Sequence, residues 1–407
     1  MEDEETEYGR EVAIRVAHVI TGLETGGAQR SLLNLIQSMD PGKFQSIVVS
    51  LKPPDSMSQE FLKAGIKVHH LGMRKAPVSF LVGLARLCRI MEAYRPHILQ
   101  GWMYHANVLC TVVQTLLSQK PKVVWGIRHS LHDLKKEKRT TRWVIERGAR
   151  LSEKADRIVY NAYSSAAQHR AMGYKADKEL IIPNGVDCQR FRPSLEARNW
   201  LRKEVLGLED NQFLVGMVAR FHPMKGPDIF LRAASILARQ RADVKFVMVG
   251  KGMDKTNDAL EYLLRGNGIQ SSVFLLGERS DMERILPGLD VLCSPSRSES
   301  FPNAVIEAMA CGVPCVVTDV GDSARIVGDC GLVVPPGDSK ALARALAKMT
   351  ELVDDQRIAL GIRSRDRMTT FDQWQVTREY SSLYKSLNSE IENIWEPAKP
   401  GDETSVD

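Results

Sequence analysis

The chain has 407 residues, enough for two domains that each bury a sizeable core. Its 55 Lys and Arg against 50 Asp and Glu leave a net charge of only +5, too small a bias to point to nucleic acid. No uncharged apolar run reaches the ~18–20 residues needed to span a bilayer. Seven scattered cysteines (88, 110, 188, 293, 311, 315 and 330) lack zinc-finger spacing and read as buried free thiols of a reducing compartment.

The start is acidic (Glu2-Asp-Glu-Glu-Thr-Glu) where a signal peptide would be basic and then apolar. Residues 1–10 are therefore expected to be a disordered tail on a cytoplasmic protein that meets any membrane from its inner face. Val12 to Thr21 reads as a strand, running into Gly22-Leu-Glu-Thr-Gly26-Gly27 and a helix from about Ala28 to Met39. Strand, glycine loop and helix form the opening unit of a doubly wound sheet. Further strands are expected at 44–51, 67–71, 97–100, 123–127, 157–160 and 180–182, with a helix over 77–94. Pro183-Asn184-Gly185 and Arg192-Pro193 mark a linker, so residues 11–190 are expected to form a first Rossmann-like domain.

A second α/β half, 191–371, is expected to contribute strands at 213–219, 244–249, 273–276, 291–293, 314–318 and 331–334. Residues 372–395 read as one amphipathic helix and 396–407 as a disordered tail. Two such halves predict a ligand cleft between them, at the carboxyl ends of the strands.

Two constellations could carry chemistry. The buried strand 213–219 is followed by Arg220 and, five residues later, by Lys225-Gly226 at the mouth of a helix. Two fixed cations there suit a diphosphate or simply solvate a turn; cation-to-phosphate hydrogen bonds contribute roughly 1.5–3 kcal/mol each. Asp290 to Cys315 then gives a strand, a turn, Glu299, a helix from Pro302 to about Cys311, and the next strand. Free N–H groups and a positive helix end sit where the strand stops, a seat for phosphate. Glu299 and Glu307 are eight residues apart, and Glu307 lies roughly 7–8 Å along the axis from Pro302. One acid can face a sugar and the other a ribose, with anions between.

The run Glu299-Ser-Phe-Pro-Asn-Ala-Val-Ile-Glu307-Ala-Met-Ala-Cys-Gly-Val-Pro resembles the signature of glycosyltransferase family 4, retaining and metal-independent enzymes of the GT-B fold. The resemblance covers most of the chain, with its strong motifs in the second half. It implies two Rossmann-like domains facing each other across a cleft, with the last helix crossing back to the first. It also implies a nucleotide diphosphate sugar as co-substrate, UDP being the expected carrier, with no further cofactor and no metal. Arg220 and Lys225 would clamp the donor phosphates, Glu307 would bind ribose hydroxyls, and Glu299 would orient the sugar. The helix start (Phe301, Pro302, Asn303, Ala304) would receive the donor, and Gly26-Gly27 would face its diphosphate from the opposite domain. On residues alone, that Gly-Gly is equally a plain tight turn. His129, with Arg128 beside it, would contact the sugar from the first domain, and Arg279 would lie near the base. Gly321-Asp322-Ser-Ala-Arg325 departs from the pattern, which usually has two glycines and a later Glu here.

The acceptor is expected to be a hydroxyl group, with a lipid-linked glycan in surface-polysaccharide assembly as one form. Lys135-Lys-Glu-Lys-Arg139 with Arg142 and Trp143 is either a solvated basic face or a peripheral membrane contact, and helix 77–94 either assists it or is core. Trp102, Tyr104, His105 and Asn107 suit either a sugar subsite or a core with a capping Asn. Two other functions fit much of the pattern: a UDP-N-acetylglucosamine epimerase of the same fold, and a nucleotide-sugar-binding protein without turnover. A dinucleotide oxidoreductase does not, because no G-x-G-x-x-G is present.

Overall fold

Short aliphatic runs bounded by glycine, proline or polar turns form parallel strands, the central ones buried on both faces, as sheets covered by helices on each side require. The computed structural model describes residues 13–74, 77–131, 134 and 138–395. The two expected tails and residues 135–137 of the basic run lie outside them.

The first sheet comprises β1 (Ile14–Ile20), β2 (Phe44–Ser50), β3 (Lys67–His70), β4 (Ile98–Trp102), β5 (Lys122–Ile127), β6 (Arg157–Tyr160) and β7 (Glu179–Ile181), in the order β3-β2-β1-β4-β5-β6-β7. The second comprises β8 (Phe213–Val218), β9 (Val244–Val249), β10 (Val273–Gly277), β11 (Val291–Ser294), β12 (Cys315–Thr318) and β13 (Gly331–Val334), in the order β10-β9-β8-β11-β12-β13. Both are parallel throughout, and in both the order reverses once, between β1 and β4 and between β8 and β11. A crevice opens at such a reversal because successive helices leave on opposite faces.

The chain crosses between the halves twice, and the crossings are tied together. Val186 N–H donates to Phe371 O, and Gln373 N–H donates to Val186 O, both at 2.9 Å. Helix Gln373–Trp395 then returns to the first sheet, where Val376, Tyr380, Leu383, Tyr384 and Leu387 join a core with Ile14, Val16 and Phe44. Tyr384 Oη donates to Gln100 Oε1 in that core.

Three local expectations change. β4 runs on to Trp102, and Trp102, Tyr104 and Asn107 are buried. Asn107 closes on Gly126, donating to its carbonyl and accepting its N–H at 3.2 Å each, so these residues are core and the sugar-subsite alternative falls away for them. The helix expected to start at Pro302 spans Asn303–Ala310. Pro302, at φ −80° and ψ 103°, is the residue before its first turn, because an extended ψ delivers the chain into the helix there. The first helix spans Gly27–Ser38, one residue earlier at each end than expected. The seven cysteines are all free, and five of them are buried.

Candidate functional site

The candidate residues gather at the carboxyl ends of strands at or next to the two reversal points. Gly26 and Gly27 follow β1, His129 follows β5, Arg220 and Lys225 follow β8, and Glu299 follows β11. Gly226 turns the chain behind Lys225 with φ +69°, and a methyl group there would stand 2.2 Å from Pro295 O. That close approach presses the Lys225 loop against the loop after β11, and only glycine allows it. Lys225 Nζ donates to Glu299 Oε1, which also accepts Ser296 Oγ at 2.8 Å. Side-chain exposure is 27% for Lys225 and 10% for Glu299. Arg220 is exposed just past β8, and among the described residues it has no ion pair.

Helix Asn303–Ala310 has no side-chain cap and no acid in its first turn, so its first N–H groups and positive end are open to an anion. Gly27 faces it from the other domain: a methyl on Gly27 would lie 3.6 Å from Asn303 Nδ2. Asn184 Nδ2 donates to Asn303 Oδ1 at 2.6 Å, a second link across the cleft. Glu307 stands further along the helix without a salt bridge among the described residues. Burial pushes its carboxyl up to about 7; Arg190 and Arg30 oppose the rise and Glu283 adds to it. An acid held near neutrality in a cleft marks a functional group more often than a structural one.

The remaining candidates sit further out. Phe301 is buried, its ring 5.6 Å from that of Phe371. Arg279 is exposed and paired with Asp281 at 2.7 Å, in the loop that Arg190 reaches through Ser280 O. Arg128 is tied to its surroundings: it donates to Asn184 Oδ1 and, at 2.7 Å, to Tyr380 Oη of the returning helix, and lies over the Trp102 ring. His129 is half-buried. Its carbonyl accepts Ser165 Oγ at 2.6 Å, and its Nδ1 stands 3.5 Å from Tyr104 Oη.

Sequence reasoning missed Asn184, Arg30, Arg190 and Met103. The first had a signal, since a Pro-Asn-Gly turn at the crossing puts a short polar side chain where both domains meet. Met103 has φ +72° at the carboxyl end of β4, rare for a side chain with a Cβ, and nothing in its type announces it.

Among the described residues no group of His, Cys, Asp and Glu could hold a metal ion, and no helix is long and apolar enough to cross a membrane. Helix Arg139–Leu151 carries exposed Arg142 and Arg147 beside Trp143, and helix Pro77–Tyr94 leaves Val78, Phe80, Leu81 and Val82 exposed.

Two parallel sheets, each with candidate residues at or next to its reversal point, and a last helix that crosses back define a GT-B protein. The same fold is found in Anabaena HepE in complex with UDP and glucose (TM-score 0.80, 19% identity, covering 92% of this chain and 100% of that one). It recurs in the sucrose-phosphate synthase of Thermosynechococcus elongatus (TM-score 0.77, 20% identity, 93% and 100%). The family model Glycosyltransferase Family 4 matches residues 25–190, and Glycosyl transferases group 1 matches residues 212–351. The chain belongs to this glycosyltransferase family. It is 33% identical over 178 residues to the UDP-Gal:alpha-D-GlcNAc-diphosphoundecaprenol alpha-1,3-galactosyltransferase of Escherichia coli, covering 43% of this chain and 46% of the relative. It is 28% identical over 318 residues to the D-inositol 3-phosphate glycosyltransferase of Segniliparus rotundus, covering 71% and 68%. The chain spans about half the length of the first curated relatives it matches, 46% and 58%.

Proposed function

We propose that this chain moves a sugar from a nucleotide diphosphate sugar, with UDP as carrier, to an acceptor hydroxyl, retaining the anomeric configuration and using no metal. The observation that carries the reading is the Lys225–Glu299 contact beside the uncapped start of helix Asn303–Ala310, with Glu307 further along. In the reaction the bond between the anomeric carbon and the phosphate oxygen breaks, and its electron pair stays on the phosphate. Lys225 has three N–H donors, of which Glu299 engages one, so the rest can meet that charge together with Arg220. Donors fixed in advance favour the transition state because they need no reorganisation as charge develops. The acceptor oxygen bonds to the anomeric carbon from the side the phosphate leaves, and its proton passes to the departing phosphate oxygen. Glu299 orients the sugar, Glu307 takes ribose hydroxyls, Gly26-Gly27 admits the diphosphate from above, and His129 meets the sugar from the first domain.

The E. coli relative, which by name takes UDP-galactose and a diphosphoundecaprenol acceptor, and HepE, solved with UDP and glucose, support a UDP-sugar and a lipid-linked acceptor. The exposed apolar residues of helix Pro77–Tyr94 and the basic helix around Trp143 support peripheral contact with an anionic membrane. Screening UDP-sugars against lipid-linked and soluble acceptors, with product anomers read by NMR and the assay repeated in chelator, tests the reading. Transfer with retention, unaffected by chelator, is expected; UDP bound far from Lys225 and Glu307 in a soaked crystal would end it.

A further inference from the structure

The departure at Gly321-Asp322 has a structural counterpart. The Asp322 carboxylate accepts the backbone N–H of Tyr163 at 2.8 Å and that of Ser164 at 3.0 Å. Both amides belong to the first turn of helix Tyr163–Ala171, whose capping residue, Ala162, has no side-chain acceptor to offer. The cap is therefore supplied from the other domain, an acid against the positive helix end. Asp322 is buried, and its own N–H donates to Ser300 O at 3.0 Å. Gly321, at φ +59°, lies so close that a methyl there would stand 2.4 Å from Glu299 O. Ser300 Oγ donates to Asn161 Oδ1 at 2.7 Å, and the Arg325 guanidinium lies 3.7 Å from the Tyr163 ring centre. A cavity of about 620 Å³ borders Asn161, Tyr163, Asp322 and Arg325 beside these polar bonds between the domains.

We infer that Asp322 is a positioning residue: by capping helix Tyr163–Ala171 while holding the Glu299–Ser300 loop, it fixes Glu299 relative to the domain that bears His129. The inference rests on the proposed transfer reaction. The carboxylate and N–H of Asp322 bond to Tyr163, Ser164 and Ser300, its carbonyl accepts the Ile326 N–H, and none of these bonds runs to Arg220, Lys225 or Glu307. Its loss therefore leaves the groups for the nucleotide in place and loosens only the geometry across the cleft.

The test uses the full chain with Asp322→Ala and Asp322→Asn, the second keeping one acceptor oxygen. Without ligand, hydrogen exchange at the Tyr163 and Ser164 amides is expected to quicken about tenfold in the alanine variant and less in the asparagine one. UDP affinity by calorimetry stays within about threefold of wild type, while turnover falls about tenfold or more in Asp322→Ala and partly recovers in Asp322→Asn. Unchanged exchange at those amides, or UDP affinity falling in step with turnover, overturns the inference. If no donor is turned over by wild type, the transfer reading fails, and exchange and UDP binding still decide whether Asp322 joins the domains. Should the alanine variant not fold, the asparagine variant carries the same comparison.

Discussion

Lys225 Nζ donates to Glu299 Oε1, so the cation proposed for the phosphate and the acid proposed for the sugar hold each other. The pair is sheltered, with Glu299 only 10% exposed, and each partner fixes the other's rotamer before a donor arrives. Lys225→Ala is expected to lower turnover by roughly 10²–10³-fold, the loss typical of one transition-state donor. In a double-mutant cycle with Glu299→Gln the two losses should not add, because one contact is removed twice. Additive losses would show that the two residues act apart.

Glu307 links pH to stability and to binding. Its carboxyl is raised from the ordinary 4.5 to about 7, first by burial, so the folded state keeps the proton over a range where the unfolded state has lost it. Its stabilising effect is complete below about pH 4.5 and is lost as pH rises towards 7. Glu307→Gln should therefore be more stable than wild type at pH 8, by about 1–3 kcal/mol, and gain little at pH 4.5. Urea titrations at the two pH values check this. UDP affinity should strengthen between pH 6 and pH 8 more in wild type than in the variant, because in the proposed reading the ionised carboxylate is the form that accepts ribose hydroxyls.

Gly226 and Gly207 separate two costs of replacing glycine. Both have positive φ, +69° and +62°, but a methyl at Gly226 would strike Pro295 O, while Gly207 has nothing within 4 Å. Gly207→Ala should cost about 1 kcal/mol, from backbone strain alone. Gly226→Ala should cost about 2–3 kcal/mol and lower turnover as well, since it pushes the Lys225 loop off the Glu299 loop. Equal losses would mean that the close approach does not matter.

Asp290 opens the second motif as a buried acid. It pairs with Arg202 at 2.9 Å and Arg198 at 2.7 Å, and accepts the Leu214 N–H at 2.7 Å. Burial pushes its carboxyl up, but Arg198 and Arg202 outweigh this and hold it below the usual range. Asp290→Ala strands Arg202 in the interior, and chemical denaturation should show a loss of about 3–5 kcal/mol. A loss under about 1 kcal/mol would mean that water reaches the site freely.

Both sheets were legible in the sequence because their strands are aliphatic runs between turn residues, and glycine and acid motifs marked where the strands stop. Local signals placed Lys225, Glu299 and Glu307 in loops and on a helix whose neighbourhood follows from the fold class. Side-chain direction was not legible. Trp102 and Tyr104 carry the chemistry of a sugar platform, but β4 runs on to bury Trp102 in register with Gly126, and Tyr104 is buried at the start of the helix that follows. Arg128 stands beside His129 in sequence, yet the returning helix draws it to Tyr380. Contacts made over more than two hundred residues of chain leave no local trace. Asp322 was visible only as a departure from a pattern, and its partners Tyr163 and Ser164 lie in the other half of the molecule.

The helix Gln373–Trp395 supplies Tyr380, Tyr384 and Leu387 to the core of the first sheet, although it is made after everything else described. During synthesis the amino-terminal half thus emerges with an apolar groove that nothing yet fills. That half waits, exposed to chaperones, until translation of this segment is finished. Early termination before Tyr380 would therefore harm the half furthest from the lesion first, while the carboxy-terminal half, whose own sheet is complete by Val334, would be the more tolerant.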